Sequence, residues 1–207
     1  STGWNTVADW MKRITALILR YPPIHATWLM FHKNMYHNGR ADKLTVIHFG
    51  CYMRKIYAVK SDGTLKWKYS TGGAIKSSAA CPESGRVYIG SDDQNLYALD
   101  AAGNKRWSYG LMAAVTKTPA LDSQENIYVS AESVYLWKFN KDGVYQWGYA
   151  FSTGTPTNAT VDENDLIYFC HGLPKKVFCI YGNKTKKWEI TLPLAVYTTP
   201  IVWNGRV

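Results

Sequence analysis

The 207 residues suffice for one sizeable core, and 46% apolar with 14% aromatic residues suits a packed β protein. A formal charge of +9 points toward an acidic partner, but the lysines, among them Lys60, Lys105, Lys141 and Lys186, are scattered over turns and read as a solvated surface, not a nucleic-acid groove. No stretch approaches the roughly 18–20 apolar residues of a membrane span.

Residues 1–10 carry no pattern. Residues 11–26, MKRITALILRYPPIHA, place Lys12 and Arg13 ahead of an apolar run at 14–19 that Arg20 ends. That run is shorter than the apolar core of a secretory signal. Two readings stand, an atypical signal and a short amphipathic surface helix. His32 and His37 follow without a third donor nearby, so a surface or packing role outweighs metal binding.

From residue 46 the text repeats. DGTLKW at 62–67, AGNKRW at 102–107, DGVYQW at 142–147 and GNKTKKW at 182–188 end on Trp67, Trp107, Trp147 and Trp188, spaced 40, 40 and 41 apart. Gly63, Gly103 and Gly143 share a turn position, and Gly182 is read with them, one residue early. The unit 87–126 holds four short β-rich runs separated by Gly, Asp and Asn. Helical repeats of this period need two long runs at period 3.6, which those turn residues forbid. Four antiparallel strands per repeat make a propeller blade. Small residues at 77–78, 116–119 and 198–200 mark one strand per blade suited to the crowded axis. The domain reading is an irregular or partly helical extension, 1–45, and an all-β propeller, 46–207, with repeats at about 46–86, 87–126, 127–166 and 167–205.

KIYAVKSDGTLKWKYSTGGAIKSS at 55–78 and NLYALDAAGNKRWSYG at 95–110 resemble PQQ-like β-propeller repeats, those of quinoprotein alcohol dehydrogenases and of the scaffold lipoprotein of the Bam complex. The resemblance spans 46–207. It implies that Trp67, Trp107, Trp147 and Trp188 pack against the neighbouring blade in a tryptophan-docking motif. Trp28, Met30, Phe31, His37, Gly39 and Arg40 resemble the segment that precedes the first blade in secreted members. The family's rings have seven or eight blades. Four repeats therefore imply a partial propeller, an arc of about four blades cut from a longer protein; the alternatives are a ring closed by self-association through the open propeller ends and a small four-bladed ring. The first repeat lacks its leading strand, or residues 28–47 supply it.

The resemblance also raises a quinone-dependent dehydrogenase. Such an enzyme would show adjacent cysteines, a catalytic Asp and a calcium cage. Cys51, Cys81, Cys170 and Cys179 are dispersed, and Asp62, Asp92, Asp93, Asp142, Asp162, Glu163 and Asp165 sit mainly in turns, where they satisfy backbone groups. No catalytic, cofactor-binding or metal residue is assigned. Quinone (PQQ) and calcium enter only under the dehydrogenase alternative. Cys170-His171 is a lone dipeptide, and there is no G-x-S-x-G. Free thiols are favoured over two disulfides, Cys179 matching Ala58 and Ala98 as a small core residue. The leading reading is a non-catalytic module that binds a protein or peptide, in the periplasm or outside the cell. A sensor ectodomain is a further alternative. The loop GLPKK at 172–176 and Gly72-Gly73 are candidate contact points by position.

Overall fold

The structure, a computed structural model, describes residues 46–202 other than 174. The readings made for 1–45, including the signal-like segment, lie outside the described residues.

Fourteen strands form four antiparallel sheets in chain order. The first holds β1 (Val46–Cys51), β2 (Lys55–Lys60) and β3 (Leu65–Ser70). The second holds β4 (Val87–Gly90), β5 (Asn95–Leu99) and β6 (Lys105–Gly110). The third holds β7 (Ala120–Leu121), β8 (Ile127–Ser130), β9 (Tyr135–Phe139) and β10 (Tyr145–Ala150). The fourth holds β11 (Thr160–Val161), β12 (Ile167–His171), β13 (Lys176–Ile180) and β14 (Lys186–Thr191). The four-stranded plan is whole in the third and fourth sheets. In the second, the innermost strand shrinks to one bridge between Ala80 and Tyr88. The first has three described strands.

Period 2 makes each central strand two-faced. On β4 and β5, Val87, Ile89, Tyr97 and Leu99 join Ile56, Ala58 and Trp67 of the first sheet. Tyr88, Leu96 and Ala98 face the other way, onto Ile127, Val129 and Phe139 of the third. Tyr128 and Leu136 continue the pattern onto Ile167, Phe169 and Ile180 of the fourth. The core is thus a series of inter-sheet joints, and among the described residues no apolar cluster joins the first sheet to the fourth. The described sheets form an open arc of propeller blades.

The innermost segments of neighbouring sheets meet. Ser78 N–H donates to Thr118 Oγ1 at 3.2 Å, one repeat away. Each small-residue segment opens a sheet: Ala120 pairs with Tyr128 and Thr160 with Tyr168. The hydrogen-bonded sheets are therefore offset by one strand from repeats counted at 87, 127 and 167. A self-similar text has no intrinsic starting point; strand pairing chooses it.

Turn carboxylates act as expected of Asx turns. Asp122 Oδ1 accepts from the backbone of Gln124 and Asn126, and its Oδ2 from Asn126 and the Tyr128 hydroxyl. Asp162 repeats this with Asn164, Leu166 and Tyr168.

Candidate functional site

Each indole is aimed by a bulge. In all four sheets the register slips just ahead of the tryptophan, as where Leu99 pairs with Lys105 but Ala98 with Trp107. The extra residue bends the edge strand and turns the indole toward the next sheet. Trp67 Nε1–H donates to Ala101 O at 3.1 Å, Trp107 to Lys141 O at 3.1 Å and Trp147 to Gly182 O at 3.0 Å. Gly103 (φ +87°) and Gly143 (φ +84°) lie under the rings: a Cβ at either would come within 2.6 Å of Trp67 or Trp107 Cδ2. Glycine is thus required there twice, for its conformation and for the close approach.

The fourth turn differs from its sequence alignment. Lys184 (φ 76°) occupies the left-handed position, four residues ahead of Trp188, as Gly63 (φ 83°) is ahead of Trp67. Gly182 instead stands where Ala101 and Lys141 stand, as the acceptor carbonyl. It also receives Lys138 Nζ at 2.8 Å, and a Cβ on it would lie 3.2 Å from the Tyr128 hydroxyl. The forty-first residue of this repeat is in the β12–β13 hairpin. Five residues separate the paired Gly90 and Leu96, but six separate Cys170 and Val177. Trp188 packs on Tyr168, with ring centroids 5.9 Å apart.

The sheets have two rims. One carries the Asx turns just described. The other carries the hairpins β1–β2, β4–β5, β8–β9 and β12–β13 with the connectors that leave β3, β6, β10 and β14. Backbone bonds tie hairpin to connector in every sheet: Thr71 to Arg54, Leu111 to Gln94, Phe151 to Val134 and Leu192 to Lys175, each N–H donating to O. Lys76 pairs with Asp92 at 2.6 Å, and Glu132 takes Thr116 and Lys117. On this braced rim Met112 is 89% exposed, Met53 76%, Leu194 75% and Tyr52 74%, and Leu173 is exposed on the same rim. Gly72-Gly73 is not an open loop. Gly72 N–H donates to Asp93 Oδ2 at 2.6 Å, and a Cβ on Gly73 would meet the Asp93 backbone.

A residue sequence matches this architecture to a family. A profile for outer membrane protein assembly factor BamB matches residues 53–177, more than half of the chain. The chain belongs to that family of PQQ-like propellers. The crystal structure of BamB from Moraxella catarrhalis matches with a TM-score of 0.69 at 16% identity, over 78% of this chain and 51% of that one. Quinohemoprotein alcohol dehydrogenase from Comamonas testosteroni matches with a TM-score of 0.62 at 15% identity, over 71% and 33%. At these identities the likeness is one of fold. The chain spans about half the length of the BamB it matches. No curated protein matches it in sequence.

Within this BamB-family fold, burial dominates the one close thiol–imidazole pair described. Cys81 Sγ lies 3.4 Å from His48 Nδ1, the spacing of a thiol–imidazole pair. Burial pushes the Cys81 thiol up to about 12. Burial, then Lys66, pulls His48 down to about 4. Both groups are neutral near pH 7, the reverse of an activated thiolate. Burial works against ionised Asp93, but bonds from Tyr97, Asn95 and Gly72 hold its carboxyl below the usual range. His171 is 1% exposed with neither ring nitrogen bonded, lying 4.4 Å from Phe151. Its neighbour Cys170 faces the other side of the strand. All four cysteines are free thiols. Among the described residues no three of His, Cys, Asp and Glu converge on a point, and Asp93, Asp122 and Asp162 each hold backbone and tyrosine donors. No described helix is long and apolar enough to cross a membrane.

Proposed function

We propose that this chain is a non-catalytic scaffold that binds a protein partner through the hairpin rim, in the cell envelope or outside the cell. The observation that carries the reading is that Tyr52, Met53, Met112, Leu173 and Leu194 are all exposed on one rim, on loops held by backbone bonds. Exposed apolar side chains gathered on one face mark interaction surfaces, and methionine adapts to varied contact shapes. A braced rim loses little freedom on binding. Membership of the BamB family supports a scaffold role. On this reading the indole joints are the family's tryptophan docking, and they serve to hold the rim's loops at fixed spacing.

Photo-crosslinking from position 112 in cell-envelope extracts tests it. A discrete adduct should form and vanish when Met53→Glu is added, with the melting temperature unchanged. An adduct in no extract, or one indifferent to Met53→Glu, refutes the rim as the binding face.

A further inference from the structure

The second and third sheets share one corner of the hairpin rim, and only the second supplies its acceptor. There Asp93 is the group on which the corner closes. Its Oδ2 accepts from the Tyr97 hydroxyl at 2.7 Å and from the Gly72 N–H at 2.6 Å, and its Oδ1 from the Asn95 N–H at 3.0 Å. In the third sheet Ser133, Trp137 and Met112 take the places of Asp93, Tyr97 and Gly72. The frame around them is kept. Val129 pairs with Trp137 as Ile89 pairs with Tyr97, and Ser130 with Leu136 as Gly90 with Leu96. Glu132 N–H donates to Ala114 O as Asp92 N–H donates to Ala74 O.

The change from Asp to Ser removes the acceptor and leaves the donors. Ser133 Oγ and Trp137 Nε1 are shut off from solvent, and among the described residues neither has a hydrogen-bond partner. Buried polar atoms left in this way are uncommon and costly. Among the described residues no acceptor takes the Met112 N–H either, and Met112 holds a left-handed φ of 59°, which a residue with a side chain adopts at a cost. The hairpin also closes differently: Ser133 N–H donates to Ala131 O, where Gln94 N–H donates to Ser91 O. Glu132 is not free to fill the gap, because Thr116 and Lys117 hold its carboxyl. The fourth sheet has no such deficit, since Phe178 occupies the place of Tyr97 and brings no donor.

We propose that this corner receives a carboxylate from outside the chain, the Asp or Glu side chain of a protein partner, in the place that the Asp93 carboxyl fills one repeat earlier. The proposal rests on the rim as the binding face and names the partner's chemistry there. An indole N–H only donates and a serine hydroxyl can donate beside it, so the ligand must accept twice, as a carboxylate does. A charged acceptor makes the stronger bonds. Lys117 already offsets the charge of Glu132 next to the corner. A Cβ on Gly72 would lie 2.9 Å from Asp93 Oδ2, so Met112, in the equivalent place, borders the third-sheet corner. Met112 is 89% exposed, and its unbranched side chain swings aside to admit the ligand.

Ser133→Asp tests the corner from within. The added carboxyl should raise the melting temperature by about 2–4 °C, as one recovered hydrogen bond does in a domain of this size. Nuclear magnetic resonance tests it from outside. The indole N–H signal of Trp137, assigned with Trp137→Phe, should move on titration with an acetylated, amidated Leu-Glu-Leu peptide. It should stay in place with the Leu-Gln-Leu peptide, and in Ser133→Asp it should answer neither. A lower melting temperature for Ser133→Asp overturns the proposal. So does a Trp137 signal indifferent to the Glu peptide, the corner then holding water only, or one moved equally by the Gln peptide. A crosslinked adduct from position 112 that survives Ser133→Asp also overturns the carboxylate site, while leaving the rim as the binding face.

Discussion

At the scale of single residues, the same turn position carries opposite consequences in different blades. Gly103→Ala adds a Cβ 2.6 Å from the Trp67 ring at φ +87°. Strain and lost docking together should destabilise the fold by about 2–4 kcal/mol in urea unfolding. Lys184 already bears the strain of φ 76°, so Lys184→Gly should stabilise by about 1 kcal/mol. A destabilising Lys184→Gly would show that its side chain matters more than its backbone. His48 gives a pH signature. Its folded pKa, about 4, lies below the unfolded 6.5 because burial, then Lys66, disfavours the cation. Between those values the unfolded chain binds more protons, so this contribution is fully present above pH 6.5 and lost as pH falls toward 4. His48→Leu should flatten that part of the stability–pH curve; an unchanged slope would assign the dependence elsewhere.

At the scale of elements, the bulged edge strand is the device that turns a repeat into an array. Without the slip between Ala98 and Leu99, Trp107 would keep strict alternation and miss the turn at residue 141. Trp107→Phe keeps an aromatic ring against Phe139 and Tyr88 but removes the bond to Lys141 O. The loss should be about 1 kcal/mol, that of one hydrogen bond, read as a shift in melting temperature. A loss several times larger would mean that ring shape, not the indole N–H, holds the joint. Much of this level was legible in the text: the 40-residue period, the Asx turns and the two-faced run of Leu96, Tyr97, Ala98 and Leu99. The bulge was not, because one extra residue in a strand leaves no mark in a polar, solvent-facing stretch. Nor was the role of Gly182. Matching glycine to glycine hid the fact that the added residue lies ten positions earlier, in a hairpin where length is tolerated.

At the scale of the whole molecule, stability is distributed over joints. Among the described residues the apolar clusters join neighbouring sheets, so the array should behave as coupled units. Phe139 is fully buried at the central joint. Phe139→Ala should cost about 3–5 kcal/mol and separate the urea transitions seen by far-ultraviolet circular dichroism and by tryptophan fluorescence. Coincident transitions in that variant would mean that the arc is a single cooperative unit. The rim that forms the candidate site belongs to this scale too. Tyr52, Met53, Met112, Leu173 and Leu194 have no shared spacing, and of these Leu173 alone lies in a stretch, GLPKK at 172–176, that the sequence offers as a contact point.

Sequence alone determined the blade. Alternation, glycine at positive φ and carboxylates in turns are local requirements, and local requirements leave a periodic trace in the residues that meet them. The tertiary structure decided which strand opens each sheet, which carbonyl receives each indole and which apolar side chains stay uncovered. Those outcomes depend on hydrogen bonds and packing between residues about forty positions apart, where many residue types can satisfy the same contact and the sequence therefore carries no single mark of it.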